Sequence, residues 1–101
     1  MLASSDRKRL RAIAHHLDPI LMIGDSGLSS GVIDECERAL TDHELIKTKI
    51  HLDDRDSRRE LGEALCEAVQ AEVVQRIGKT LVIYRANPQA NPKLSNIRRF
   101  S

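Results

Sequence analysis

Apolar positions recur along the chain at two periods, and the switches between them predict an order of elements. Leu10, Ile13, Ala14 and Leu17 fall at i, i+3, i+4 and i+7, the stripe of an amphipathic helix. That helix is expected over about Asp6 to Leu17, capped by Ser4 or Ser5 and ended by Asp18-Pro19. The run Ile20-Leu21-Met22-Ile23 is apolar on both sides, as in a central strand covered on two faces. Val32, Cys36, Ala39 and Leu40 form a second helical stripe behind a Ser29 or Ser30 cap. From Leu45 to Leu52 the period becomes two. Ile46, Thr48, Ile50 and Leu52 make a core face, and Leu45, Lys47, Lys49 and His51 make a partly basic one.

Asp53 or Asp54 is placed to cap a third helix, from about Arg55 to Gln70, with Leu61, Leu65, Ala68 and Val69 inward. On its outer side Asp56, Arg59, Glu60 and Glu63 stand at ion-pair spacing. Glu72–Ile77 and Thr80–Arg85 read as a hairpin turning at Gly78-Lys79. The segment from Ala86 to Ser101 has two Asn-Pro pairs and few apolar residues, which predicts a basic tail with weak structure.

The order α-β-α-β-α-β-β predicts an α/β fold, a four-stranded mixed sheet packed with three helices. Right-handed crossovers would make the sheet mostly parallel with an antiparallel last strand. The first three strands would share one carboxyl edge, where ligands of open α/β sheets bind. That edge would collect the loop after Ile23, the Asp54-Arg55 turn and the Gly78-Lys79 turn. One domain is expected over 1–86, followed by the tail 87–101. A chain of 101 residues can bury roughly 60–68% of its unfolded surface without disulfides or metal.

Composition narrows the function. Apolar content of 41% with 31% charged residues is ordinary for a soluble globular domain. The apolar runs are too short to span a bilayer, and the first residues lack a signal-peptide core, so the cytoplasm is expected. Cys36 and Cys66 lie on apolar helical faces and read as buried reduced thiols. Net charge is only +1, but the charges are segregated. Arg7, Lys8, Arg9 and Arg11 stand in helix 1 against Asp6, and Arg85, Lys93, Arg98 and Arg99 follow Tyr84 with no acid. Asp34, Glu35, Glu37, Asp42 and Glu44 outweigh Arg38 in and after helix 2. Such a distribution permits a one-sided positive surface.

Gly24-Asp25-Ser26-Gly27 joins the first strand to the second helix. Two glycines around two small polar residues allow a tight turn and close approach of a ligand. The helix start beyond it offers free amides to phosphate. A GXXG loop is also how KH-type domains hold single-stranded nucleic acid. Asp25 puts a carboxylate in the loop, where it opposes phosphate or caps the helix. Arg55 and Lys79 would flank a phosphate held there. Lys47 and Lys49 point together from strand 2, toward RNA, toward solvent or as cover over helix 1.

Other chemistry is poorly served. Asp25-Ser26-Gly27 resembles a protease nucleophile loop, but a triad needs a positioned His and Asp on a suitable scaffold. His15, His16, His43 and His51 have no metal-ligand spacing. With Tyr84 and Phe100 as the aromatics, no stacking platform exists, so phosphate, sugar and shape should dominate recognition.

A longer pattern joins these pieces. Leu10-Arg11, Ala14-His15, Leu17, Pro19, Ile23-Gly24 and Gly27-Leu28 recur with His43-Glu44-Leu45-Ile46-Lys47, Asp54-Arg55, Val74-Gln75, Ile77-Gly78-Lys79 and Tyr84-Arg85. From about Asp6 to Arg85 the chain resembles a stand-alone CRM domain of the YhbY-like family. The resemblance implies an RNA-binding module associated with precursors of large-subunit ribosomal RNA and their assembly. With no paired nucleophile and base and no metal-ligand spacing, a non-enzymatic, cofactor-free monomer is expected. It implies a fold similar to the C-terminal domain of translation initiation factor three. It also implies an RNA surface of Gly24, Asp25, Ser26 and Gly27, with Arg7, Lys8, Arg11 and Lys79. The alternative is a protein–protein adaptor of the same fold acting through acidic helix 2, with Glu35 and Glu37 on its surface.

Overall fold

A computed structural model describes residues 2–100. Along the chain run α1 (Ser4–Ala14), β1 (Pro19–Ile23), α2 (Ser30–His43), β2 (Leu45–Ile50), α3 (Arg55–Val69), β3 (Glu72–Ile77) and β4 (Thr80–Tyr84). This is the expected α-β-α-β-α-β-β order and four-stranded mixed sheet.

The strand order is β1-β2-β4-β3. β1 and β2 pair in parallel, and β4 is antiparallel to both β2 and β3. β1, β2 and β3 therefore run the same way, as expected. However, β4 stands between β2 and β3, so one adjacent pair is parallel and the sheet is not mostly parallel. The two-residue hairpin explains this. It forces β4 beside β3, and the long α3 crossover lets β3 land one strand beyond β2.

Side-chain alternation divides the core in two. Leu21, Ile23, Ile46, Ile50, Leu81 and Ile83 meet Cys36 and Leu40 of α2 and Leu65, Cys66 and Val69 of α3. On the opposite sheet face Leu45, Val74 and Val82 meet Leu10, Ile13 and Ala14 of α1. Full burial of Leu65 (0% exposed) stabilises by about 1.5–3 kcal/mol. β1 was expected to be central and covered on both faces; it lies instead at the sheet edge. α1 packs over β2 and β3, which leaves Ile20 and Met22 46% and 54% exposed.

Helix ends follow local capping chemistry with one exception. Ser29 Oγ accepts from Val32 N at 3.2 Å, and Asp54 Oδ2 accepts from Ser57 N at 2.9 Å. At α1 the cap is Ala3 rather than Ser4 or Ser5, and the Ala3 amide donates to Asp6 Oδ2 at 3.4 Å. α1 stops at Ala14, and two tighter i→i−3 bonds, from His16 N to Ile13 O and from Leu17 N to Ala14 O, complete its end.

The tail departs most from expectation. Among residues 86–100, Ala90, Ser95 and Asn96 are buried, and Ile97 packs beside the α1 core. Asn96 Nδ2 donates to Leu45 O at 2.7 Å, and Asn96 N donates to His43 O at 2.9 Å. The segment has no helix or strand, yet it is tied down by side-chain and turn hydrogen bonds.

The anchor of these ties is Glu44, only 5% exposed. Its carboxylate accepts from Asn87 N at 2.7 Å and from the Ser95 hydroxyl, with Arg98 Nε at 3.9 Å. Glu44 takes φ +63 with ψ −46, outside the left-handed helical well, a conformation that costs a non-glycine residue about 1–3 kcal/mol. The turn from α2 into β2 imposes that geometry.

Candidate nucleic-acid interface

Gly24–Gly27 forms a tight turn closed by Gly27 N donating to Gly24 O at 3.0 Å. Gly27 has φ +66, which explains its identity, whereas Gly24 has no positive φ. A Cβ at either glycine would have no neighbour within 4 Å. The turn thus stands open, with Asp25 and Ser26 exposed at its tip. α2 does not begin directly after it. Leu28 packs against the core and Ser29 caps the helix, so the cap belongs to Ser29 and not to Asp25. Ser30 and Gly31 bring exposed first-turn amides that have no acceptor among the described residues.

The shared carboxyl edge exists. His51 N donates to Ile23 O at 2.7 Å, and Ile50 N donates to Lys79 O at 2.8 Å. The glycine turn, the approach to α3 and the hairpin tip therefore lie side by side. Lys79 Nζ reaches Asp53 Oδ1 at 3.0 Å across that edge. The hydrogen bond from this ammonium holds the Asp53 carboxyl below the usual carboxylate range. Gly78, at φ +55, occupies the first central position of the two-residue hairpin loop, where the II′ class needs glycine.

The expected cations divide by sheet face, so the positive surface is not one-sided. α1, Lys47 and Lys49 belong to one face. Lys8 and Arg11 are exposed and make no hydrogen bond or ion pair among the described residues, and neither does half-buried Lys49. Arg7 Nη1 donates to Val73 O and so fastens α1 to β3. Lys47 Nζ donates to Leu17 O at 2.9 Å and completes the end of α1. These two cations therefore carry structural contacts in addition to charge. Arg55 is exposed on the α3 side.

The sequence did not point to the basic residues that join Arg55 and Lys79. Arg58, Arg59 and Arg76 line the same cleft, which encloses about 510 Å³ between α3 and the hairpin. The apolar pattern carried no signal for this grouping, because Arg76 comes from β3 and the others from α3.

Residues 2–85 match the sequence model of the CRS1/YhbY (CRM) domain. The chain belongs to that family. It is similar over 100 residues, at 48% identity, to a Pseudomonas aeruginosa protein named a probable RNA-binding protein, covering 99% of this chain and 96% of the other. An RNA-binding protein of Haemophilus influenzae is 40% identical over 93 residues, 92% of this chain and 94% of that one. Among solved structures, the solution structure of a hypothetical Staphylococcus aureus protein, described as a candidate RNA binder, superposes with a TM-score of 0.78. Its identity is 37%, over 90% of this chain and 95% of that chain.

Several residues of the CRM pattern prove to be scaffold. His43 Nδ1 donates to Leu94 O at 2.8 Å, and Glu44 anchors the tail. Arg85, just after β4, ties α2 to α3: Nη1 donates to Glu37 Oε2 at 2.7 Å and to Val69 O at 2.8 Å, and Nη2 donates to Thr41 Oγ1 at 3.0 Å. The glycine turn and the unpartnered cations Lys8, Arg11 and Lys49 are left available to a ligand.

Proposed function

We propose that the protein binds RNA, with precursor large-subunit ribosomal RNA as its target, and assists assembly of that subunit. The observation that carries this reading is the open Gly24–Gly27 turn at the edge shared with the hairpin tip, where neither glycine has a neighbouring side chain to block the approach to the first α2 amides. The RNA-binding names of its relatives support it. The turn and the first amides of α2 hold phosphate, while Lys8, Arg11, Lys49 and Lys79 add charge. Arg7 and Lys47 contribute charge from positions fixed by their structural bonds. In this reading the protein is a non-enzymatic, cofactor-free monomer of the cytoplasm.

The adaptor reading gains no support from α2. Glu37 is engaged by Arg85 at 2.7 Å, so only part of that acidic surface is available to a partner.

The test is a titration of purified protein against fragments of large-subunit ribosomal RNA across a salt series. Log affinity should fall with log salt at about −0.7 to −0.9 per neutralised phosphate. Lys8→Ala/Arg11→Ala, which leaves Arg7 in place, should weaken binding and flatten that slope. Salt-independent binding, or none to any fragment, would reject the mechanism.

A further inference from the structure

We propose that the cleft between α3 and the β3–β4 hairpin is a second phosphate-binding site for RNA, distinct from the glycine turn. The inference rests on the RNA-binding reading. It also moves Arg55 and Lys79 from the turn to the cleft. The cleft encloses about 510 Å³, and Arg55, Arg58, Arg59, Arg76 and Lys79 line it together with Asp56. That volume suits a nucleotide-sized group better than a bare phosphate. Ile50 and Leu81, both buried, form an apolar floor, and Gly78 leaves its rim without a side chain.

The bland account is that these cations are neutralised where they stand. Beside Asp56 in the lining, Asp53, Asp54 and Glu63 border the cleft. Asp54 is turned to Ser57, accepting from its amide and hydroxyl. Glu63 alone serves both Arg59, at 3.3 Å, and Arg76, at 3.9 Å. The Asp53 side chain is 99% exposed where it meets Lys79. Such wet pairs contribute little and are easily exchanged, so they hold the side chains in place without cancelling their attraction for an anion. Arg58 is spent on Leu52 O and Asp53 O, at 2.8 and 2.9 Å. Arg55 has no hydrogen bond or ion pair among the described residues. Arg55, Arg59 and Arg76 thus present guanidinium groups whose planar fork matches phosphate oxygens.

Position distinguishes this site from the turn. The cleft opens on the α3 face of the sheet, across β2, β4 and β3, whereas the turn leaves the far edge strand β1. Strand spacing separates them by about 10–14 Å. A single strand of RNA laid along the carboxyl edge would meet both. The phosphate in the cleft belongs either to the RNA backbone or to a chain end.

The experiment titrates labelled single-stranded fragments of large-subunit ribosomal RNA against the full chain across a salt series. The variants are Arg55→Gln/Arg76→Gln, which spares Arg58, and Gly24→Asp in the turn. The cleft variant should bind about ten-fold more weakly, with a salt slope shallower by about 1, and should melt like the parent. Arg55→Lys/Arg76→Lys should recover part of the affinity, since it restores charge without the fork. Combined with Gly24→Asp, the losses should multiply, as for independent sites.

Parent-like affinity and slope in the cleft variant, with binding lost in Gly24→Asp, would overturn the cleft and leave the RNA reading standing. Absence of RNA binding by the parent protein would overturn both. A preference for 5′-phosphorylated over 5′-hydroxyl RNA that vanishes in the cleft variant identifies a chain end. Equal binding of the two by the parent, with the loss in the cleft variant retained, identifies the backbone.

Discussion

Replacing Glu44 by alanine should destabilise the domain more than most single surface changes, although Glu44 lies in no helix or strand. The carboxylate accepts from Asn87 N at 2.7 Å and from the hydroxyl of Ser95, itself 0% exposed. A hydrogen bond to a charged partner contributes about 1.5–3 kcal/mol, and a buried donor left without an acceptor adds a desolvation cost. Two such bonds place the loss at about 3–6 kcal/mol, against a total stability of about 5–15 kcal/mol. At about 4–8 °C per kcal/mol for a domain of this size, Tm should drop by at least about 12 °C.

Two companions separate the causes. Glu44→Gln keeps an oxygen for Asn87 N but turns a donor toward Ser95 Oγ, which already accepts from Ile97 N and Arg98 N. It should therefore cost one charged hydrogen bond, roughly 1.5–3 kcal/mol, and less than Glu44→Ala. Glu44→Gly should exceed Glu44→Ala in stability by about 1 kcal/mol, because φ +63 is strained for alanine and free for glycine. Urea unfolding followed by circular dichroism reads all three. Glu44→Ala within about 1 kcal/mol of the parent would refute the assignment of Glu44 as the anchor of the tail.

Other expectations are simpler to test. Gly24→Asp places a carboxylate in open space without backbone strain, so it should leave Tm unchanged. A like charge about 4 Å from phosphate costs about 1 to 4 kcal/mol between bulk water and a surface-like dielectric, so RNA affinity should fall at least about five-fold; unchanged gel-shift affinity would exclude the turn. Gly27→Asp should lose a comparable affinity and also melt lower, because φ is +66 there. Leu65→Asp should abolish the cooperative melt, since a core truncation alone costs about 2–5 kcal/mol and the carboxyl adds burial. Burial pushes the Cys36 thiol up to about 12 and the Cys66 thiol up to about 11. The folded state then holds protons that the unfolded thiols release near pH 8.5. Stability should therefore fall as pH rises above that point, by up to about 1.4 kcal/mol per unit per thiol. A Cys36→Ala/Cys66→Ala pair with the same alkaline slope as the parent would contradict this.

What the sequence made legible was local. Ser29 and Asp54 are caps wherever a helix follows them, and Lys47 and Lys49 share a strand face by period alone. Strand order was not legible, since β3 and β4 exchange places without altering any apolar pattern. Nor did the run Ile20–Ile23 reveal that α1 would leave its outer face uncovered. The tail misled for a related reason. Ser95 and Glu44 lie 51 positions apart, and polar residues around Asn-Pro pairs have no periodicity to betray burial. At the site, the glycine turn was readable because glycine itself is the signal. The cleft was not, because it arises only when α3 and the hairpin come together.

The central place of β4 has a consequence for how this molecule is made. Thr80–Tyr84 supplies Leu81 and Ile83 to one core and Val82 to the other. It is also the last of these four strands to leave the ribosome. Until it does, a nascent chain can pair β1 with β2, but β3 has no hydrogen-bonded neighbour and both cores lack their middle. The sheet therefore cannot be completed until β4 has emerged, and the domain should close in one late step rather than grow from its N-terminus. Loss of these five residues would remove a keystone rather than trim an end.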